Sequence, residues 1–185
     1  MTSRQPWFFL LTIANLVAAA AAEEVEHPTY RSWASQPLGT SVTLRSTTVN
    51  AKTTLTTTTT TTLLKIVPEK LILESRVVSD ATGRLVEVAP TTFEQPRMFP
   101  LFGDVKKEDV GKPVGAQTRG EEVLKLADRE IKTIWFDSKG RGDAGETITR
   151  TWLSDEIPGR LVKAVTRIPR AGSTTTVELI AYRKP

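Results

Sequence analysis

Glu146-Thr-Ile-Thr-Arg-Thr-Trp-Leu153, Leu161-Val-Lys-Ala-Val-Thr-Arg-Ile168 and Thr174-Thr-Thr-Val-Glu-Leu-Ile-Ala-Tyr182 follow one another, separated by Pro158-Gly159 and Ala171-Gly172. Each stretch alternates with period two. Ile148 and Trp152 oppose Thr147, Thr149 and Thr151, and Val162, Ala164 and Ile168 oppose Lys163 and Arg167. That is the pattern of half-buried strands joined by turns. Short turns between closely spaced strands imply antiparallel pairing, because parallel strands need long crossovers.

Working outward, the same reading applies to Thr40–Thr47, Leu71–Val78, Arg84–Val88, Glu121–Leu126 and Glu130–Phe136. Asp80-Ala-Thr-Gly83 reads as a turn, and Asp137-Ser-Lys-Gly-Arg-Gly-Asp143 as a long polar one. No apolar pattern of helical period and length follows residue 22, and only a short helix near Tyr30–Ser35 fits. The expected fold is mainly β: a curved antiparallel meander forming a half-barrel or barrel. Thr53–Thr62 is threonine throughout except for Leu55. It reads as a two-faced strand, since the β-branched side chain suits the pleat. An ice-binding array would need several such ranks, and a glycosylated stalk would carry interspersed prolines.

The N-terminus has a different grammar. Arg4 precedes an apolar run from Trp7 to Val17, and Ala18–Ala22 lead into Glu23 and Glu24. This predicts a secretory signal peptide over residues 1–22, cleaved after Ala20 or Ala22. The run is short for the roughly 30 Å hydrocarbon core of a bilayer. The expectation is therefore an exported chain, periplasmic or secreted, with residues 23–185 as one β domain and no transmembrane anchor after cleavage.

Composition narrows the chemistry. The 185 residues include no cysteine, so disulfides, thiolate metal sites and thiol nucleophiles are excluded. Twenty-five Lys and Arg are scattered among 21 Asp and Glu, which does not suggest a nucleic-acid surface. His27 is the only histidine, which argues against multi-histidine metal centres and a Ser-His-Asp triad. Nucleotide-binding, zinc-protease and serine-hydrolase motifs are missing. Paired acids such as Glu121 and Glu122 read as solvated. Neither an enzyme nor a cofactor is expected. Arg141-Gly-Asp143 matches an adhesion tripeptide, but it is also ordinary turn composition.

The least regular region runs from Val88 to Glu121. Pro90, Pro96, Pro100 and Pro113 argue against a central strand there. It holds Phe93, Met98, Phe99, Leu101 and Phe102, which would plug one end of the sheet, lid a cavity or dock a partner. With Trp135 and Trp152 they form the candidate ligand-binding set.

His27-Pro-Thr-Tyr-Arg-Ser-Trp33 with Pro37-Leu-Gly-Thr-Ser-Val-Thr-Leu-Arg45 resembles the opening of small exported bacterial proteins. Thr151-Trp-Leu-Ser-Asp-Glu-Ile-Pro-Gly-Arg-Leu-Val-Lys163 resembles their closing motif. Similar closing motifs occur in periplasmic proteins with a fold like the lipoprotein carrier LolA. The resemblance implies a half-barrel with an apolar concave face. Two functions follow as expectations: an envelope binding module holding a lipid or other apolar ligand, or a non-enzymatic structural or interaction protein with a filled core and an envelope-protein partner.

Overall fold

The computed structural model describes residues 23–81, 83–101, 103, 105–126 and 129–185. The predicted signal segment, residues 1–22, and Phe102 lie outside them. The described chain is a large antiparallel sheet with one short helix. In chain order the elements are β1 (Glu24–Glu26), α1 (Pro28–Ala34), β2 (Ser41–Val49), β3 (Thr54–Val67), β4 (Lys70–Ala81), β5 (Arg84–Pro96) and β6 (Met98–Pro100). They continue with β7 (Ala116–Leu126), β8 (Arg129–Gly142), β9 (Gly145–Leu153), β10 (Leu161–Ile168) and β11 (Ser173–Arg183). Nine strands form one sheet in the order β5-β4-β3-β2-β11-β10-β9-β8-β7, and β1 pairs with β6 in a separate ribbon. The sheet is open, with β5 and β7 as its edges, so of the two expected forms it is not a closed barrel.

Two expectations about boundaries need correction. The stretch from residue 88 is not an irregular loop, because β5 continues through Pro90 to Pro96. Proline survives there because β5 is an edge, and Ala89 and Pro90 sit in a bulge opposite Arg76, between the pairs Ser75–Thr91 and Val77–Val88. The polar stretch 137–143 is not a long turn either. β8 runs to Gly142, and the hairpin closes on Asp143-Ala144 with Gly145 at φ +111°. Repeated glycine and charge signalled a loop, but strand pairing with β9 prevailed.

Register assigns each side chain to a face. Val42, Leu44, Thr61, Leu63, Leu73 and Phe93 share one face, and α1 lies over it against β4 and β5. Tyr30 and Trp33 of α1 join Val42, Leu63, Leu71, Leu73, Val162 and Leu179 in the core. Leu63, at the end of the threonine run, is fully buried. A one-residue slip would turn it out to the reverse face, so this anchor fixes a strand whose own sequence specifies register weakly. Cross-strand hydroxyl bonds add to it, Thr43–Thr60 at 3.0 Å and Thr57–Ser79 at 3.2 Å.

The opening and closing motifs meet in space. The backbone N–H of Gly159 donates to Ser32 Oγ at 3.0 Å, and a β-carbon on Gly159 would come within 3.2 Å of Trp33 Nε1. Arg160 then donates to the Gly111 carbonyl at 3.0 Å, tying the segment after β6 to the same junction.

Candidate functional site

The structure divides the predicted ligand-binding set. Phe93 lies on the helix face of β5 and lines, with Trp33, Leu44 and Leu73, a cavity of about 130 Å³. Met98 and Phe99 belong to β6, paired to Glu26 and Val25, with the Phe99 ring edge-on to His27 at 5.9 Å. Leu101 follows, its N–H donating to the Glu23 carbonyl at 2.8 Å. Trp152 is buried in the same cluster as Trp33, Leu63 and Leu73, with Trp135 packed against it, but neither lines the cavity beside Phe93. The two tryptophans pair with each other across β8 and β9, and Trp152 pairs with Lys163, which pairs with Glu178 and so with Arg45 on the reverse face. The loop aromatics and the tryptophans therefore do not share a cavity.

Around the tryptophans the sheet builds a polar and aromatic cluster. Trp135 stands opposite Gly120, and its indole covers that glycine so closely that a β-carbon would lie 2.5 Å from the ring. The Arg150 guanidinium lies 4.3 Å from the centre of the Trp135 ring, within cation–π range. Arg150 is held there by a bidentate pair with Asp137, Nε to Oδ1 at 2.6 Å and Nη2 to Oδ2 at 2.7 Å. Thr118 Oγ1 donates to Asp137 Oδ2 at 3.3 Å. These contacts, the Arg150 hydrogen bonds foremost, hold the Asp137 carboxyl below its usual range, and the same bonds raise Arg150 further above its own. Trp152 Nε1 donates to Glu122 Oε2 at 2.8 Å. Lys163 lies 5.8 Å from the Trp152 ring and pairs with Glu178 at 3.1 Å.

Beside this cluster a trough of about 580 Å³ opens on the reverse face. Its apolar members are Ile148, Trp152 and Val165, and Lys139, Arg150 and Arg167 supply positive charge. Arg150 is already neutralised by Asp137, whereas Lys139 and Arg167 form no ion pair among the described residues. The alternation in β9 and β10 had placed Ile148 with Trp152 and Lys163 with Arg167. It did not reveal that Asp137 and Arg150 would face each other, because the long turn assumed over 137–143 hid the register. Had the turn been centred on Asp143-Ala144, both the Trp135–Trp152 and Asp137–Arg150 pairs would have followed by counting back equally along the two strands.

Outside the core the helix face mixes hydroxyls with apolar side chains, Val77, Val86, Val88 and Val177 among them. Beyond the core it carries Ser46, Thr48, Thr57, Thr59, Ser79, Thr149, Thr166 and Thr175, with mutual hydroxyl bonds at Thr48–Thr175 (2.9 Å) and Thr149–Thr166 (3.0 Å). Among the described residues no group of acids and histidine is placed to hold a metal ion, and no helix is long and apolar enough to cross a membrane.

No protein-family model matches the chain, and no curated protein matches it in sequence. Several solved structures are similar in outline. An inferred exported protein with a YmcC-like fold from Bacteroides fragilis aligns at TM-score 0.46 and 7% identity, covering 80% of this chain and 97% of that one. A DUF1329 family protein from Desulfovibrio piger aligns at TM-score 0.30 and 11% identity, covering 85% and 90%. An inferred outer-membrane lipoprotein-sorting protein domain from Vibrio parahaemolyticus aligns at TM-score 0.27 and 9% identity, again covering 85% and 90%. These likenesses are loose, and the chemistry of the trough rests on this chain's own side chains.

Proposed function

We propose that the chain is an exported binding module of the cell envelope, not an enzyme, and that its ligand lies on the reverse face of the sheet. The ligand fitting the trough is an amphiphile with an apolar body and an anionic end, as in an acidic lipid. The observation that carries this reading is the trough itself, where Ile148, Trp152 and Val165 are flanked by Lys139 and Arg167, two cations without an ion-pair partner among the described residues. Apolar lining with a few placed charges is the usual composition of a small-molecule site. The signal-peptide pattern of residues 1–22 supports the envelope location.

The test is to purify the protein gently from an exporting host and analyse it by native mass spectrometry with lipid extraction. A co-purified acidic lipid, lost in the variant R167E/K139E while the fold is retained, is the expected result. A clean apo mass, with no uptake of added phosphatidylglycerol, would sink the reading.

One observation favours the second reading, a structural or interaction protein. The core is filled, with Leu63, Leu71 and Val162 at 0% exposure, and the cavity beneath α1 is small beside a lipid chain. A clean apo mass together with a stable cross-linked envelope partner would make that reading the working one.

A further inference from the structure

Open sheets expose two rows of unpaired backbone groups, and proteins ordinarily blunt such edges with charge, proline or short length. Both edges carry charge, and β5 also holds Pro90, Pro96 and a bulge, yet β5 exposes more apolar surface. β7 carries Arg119, Glu121, Glu122 and Lys125 within Ala116–Leu126. β5 is longer, Arg84–Pro96, and its exposed positions include Leu85 (71%), Val86 (48%), Val88 (48%) and Phe93 (43%). Apolar side chains are exposed on both faces of this edge. Val86, Val88 and Phe93 are on the helix face, and Leu85 is on the reverse face with Glu87 and Glu94.

The bulge in β5 gives the edge a particular symmetry. Val88 and Thr91 stand opposite Val77 and Ser75, two residues apart on β4, so the bulge leaves the backbone on its two sides in phase. Residues 84–88 and 91–95 can therefore each present the same pattern of outward N–H and C=O groups.

We propose that the protein pairs with a second copy of itself, β5 against β5, about a twofold axis through the bulge. In this register Val88 faces Thr91 of the copy, Glu87 faces Thr92, Val86 faces Phe93, Leu85 faces Glu94 and Arg84 faces Gln95. Every pair joins residues of the same face, as a continuous sheet requires. Each charged residue meets an uncharged one, so no like charges oppose each other. Pro90, which has no N–H to offer, meets the bulge of the copy where no ladder bond is needed. Val86 and Phe93 cover each other twice, once on each side of the axis. Isologous closure also consumes both free β5 edges, so no third copy can add at this edge.

The absence of cysteine makes a direct test simple. The double variant V86C/F93C of the full-length exported protein is oxidised under mild conditions. The expected product is a disulfide-linked dimer. E87C/F93C, whose residues lie on opposite faces, should not cross-link. Sedimentation velocity then compares the wild type with V86K, a change at a half-exposed position. The dimer dissociation constant is expected to rise about tenfold or more, with the circular dichroism spectrum and the unfolding midpoint of the monomer retained. A wild type that sediments as a monomer throughout its soluble range would overturn the proposal. So would a dimer that cross-links only through β7, or one indifferent to V86K.

Discussion

Trp135 and Gly120 define a site where one missing β-carbon permits a packing arrangement. The indole fills the space above Gly120 and leaves its other face to the Arg150 guanidinium. Replacing Gly120 with Ala forces either the ring or the strand to move. The expected loss is about 1–3 kcal/mol, the usual cost of overpacking, seen as a lower urea midpoint with an unchanged slope. A midpoint equal to wild type would mean that the ring shifts freely and that the stack with Arg150 is loose. Thr40 is the opposite case. It is fully buried, and its hydroxyl has no hydrogen-bond partner among the described residues. A buried hydroxyl left unpaired costs free energy. Thr40→Val keeps the shape and removes the orphaned group, so stability should rise by about 1 kcal/mol. A fall in thermal midpoint would show that the hydroxyl has a partner in solution, such as a bound water.

At the scale of elements, α1 is only seven residues long and depends on its ends. His27 caps it, with Nδ1 accepting from the Thr29 N–H at 3.1 Å, an acceptor role open only to the neutral ring. Burial, with the nearby Arg160 charge second, lowers the His27 pKa below its ordinary 6.5. A lowered histidine pKa means that the unfolded state takes up the proton first. The stability from this cap is therefore complete above the ordinary imidazole value and is lost as pH falls through the lowered one. His27→Asn keeps an accepting cap without titrating, so its stability should stay flat across that window while the wild type declines. His27→Ala should cost about 1 kcal/mol at neutral pH. Parallel pH profiles for wild type and His27→Asn would remove the histidine from the account. Element types were legible in the sequence wherever alternation was strong, as in β9, β10 and β11, and the short helix was placed nearly in register. The misjudged stretches were β5 beyond residue 88 and β8 beyond residue 136. There proline, glycine and charge carry a turn signature, and only the neighbouring strand overrides it. The trough was missed for the same reason, since its Asp137–Arg150 pair depends on register that the shortened β8 concealed.

At the scale of the whole molecule, the sheet consists of two meanders, β2–β5 and β7–β11, joined along β2 and β11 at the centre. Every other strand pair in the nine-stranded sheet connects chain neighbours except this one, which matches Ser41 with Arg183 and Val49 with Thr174. The sequence showed the members of each meander but not this join, because nothing in local alternation distinguishes β2 as the partner of the last strand. A chain ending at Gly172 should therefore leave β2 and β10 each with one open edge and gain no protease resistance, whereas the chain through Pro185 should resist digestion. Equal resistance of the two would show that the C-terminal strand is dispensable. The central position of β11 also imposes an order in time. Synthesis delivers β2 well before β11, and local hairpins form within microseconds. The first meander must wait with its β2 edge exposed until β11 arrives, and contacts so distant in sequence form slowly. A chaperone guarding this protein would thus have to shield the β2 edge throughout its emergence and release it only once β11 has emerged.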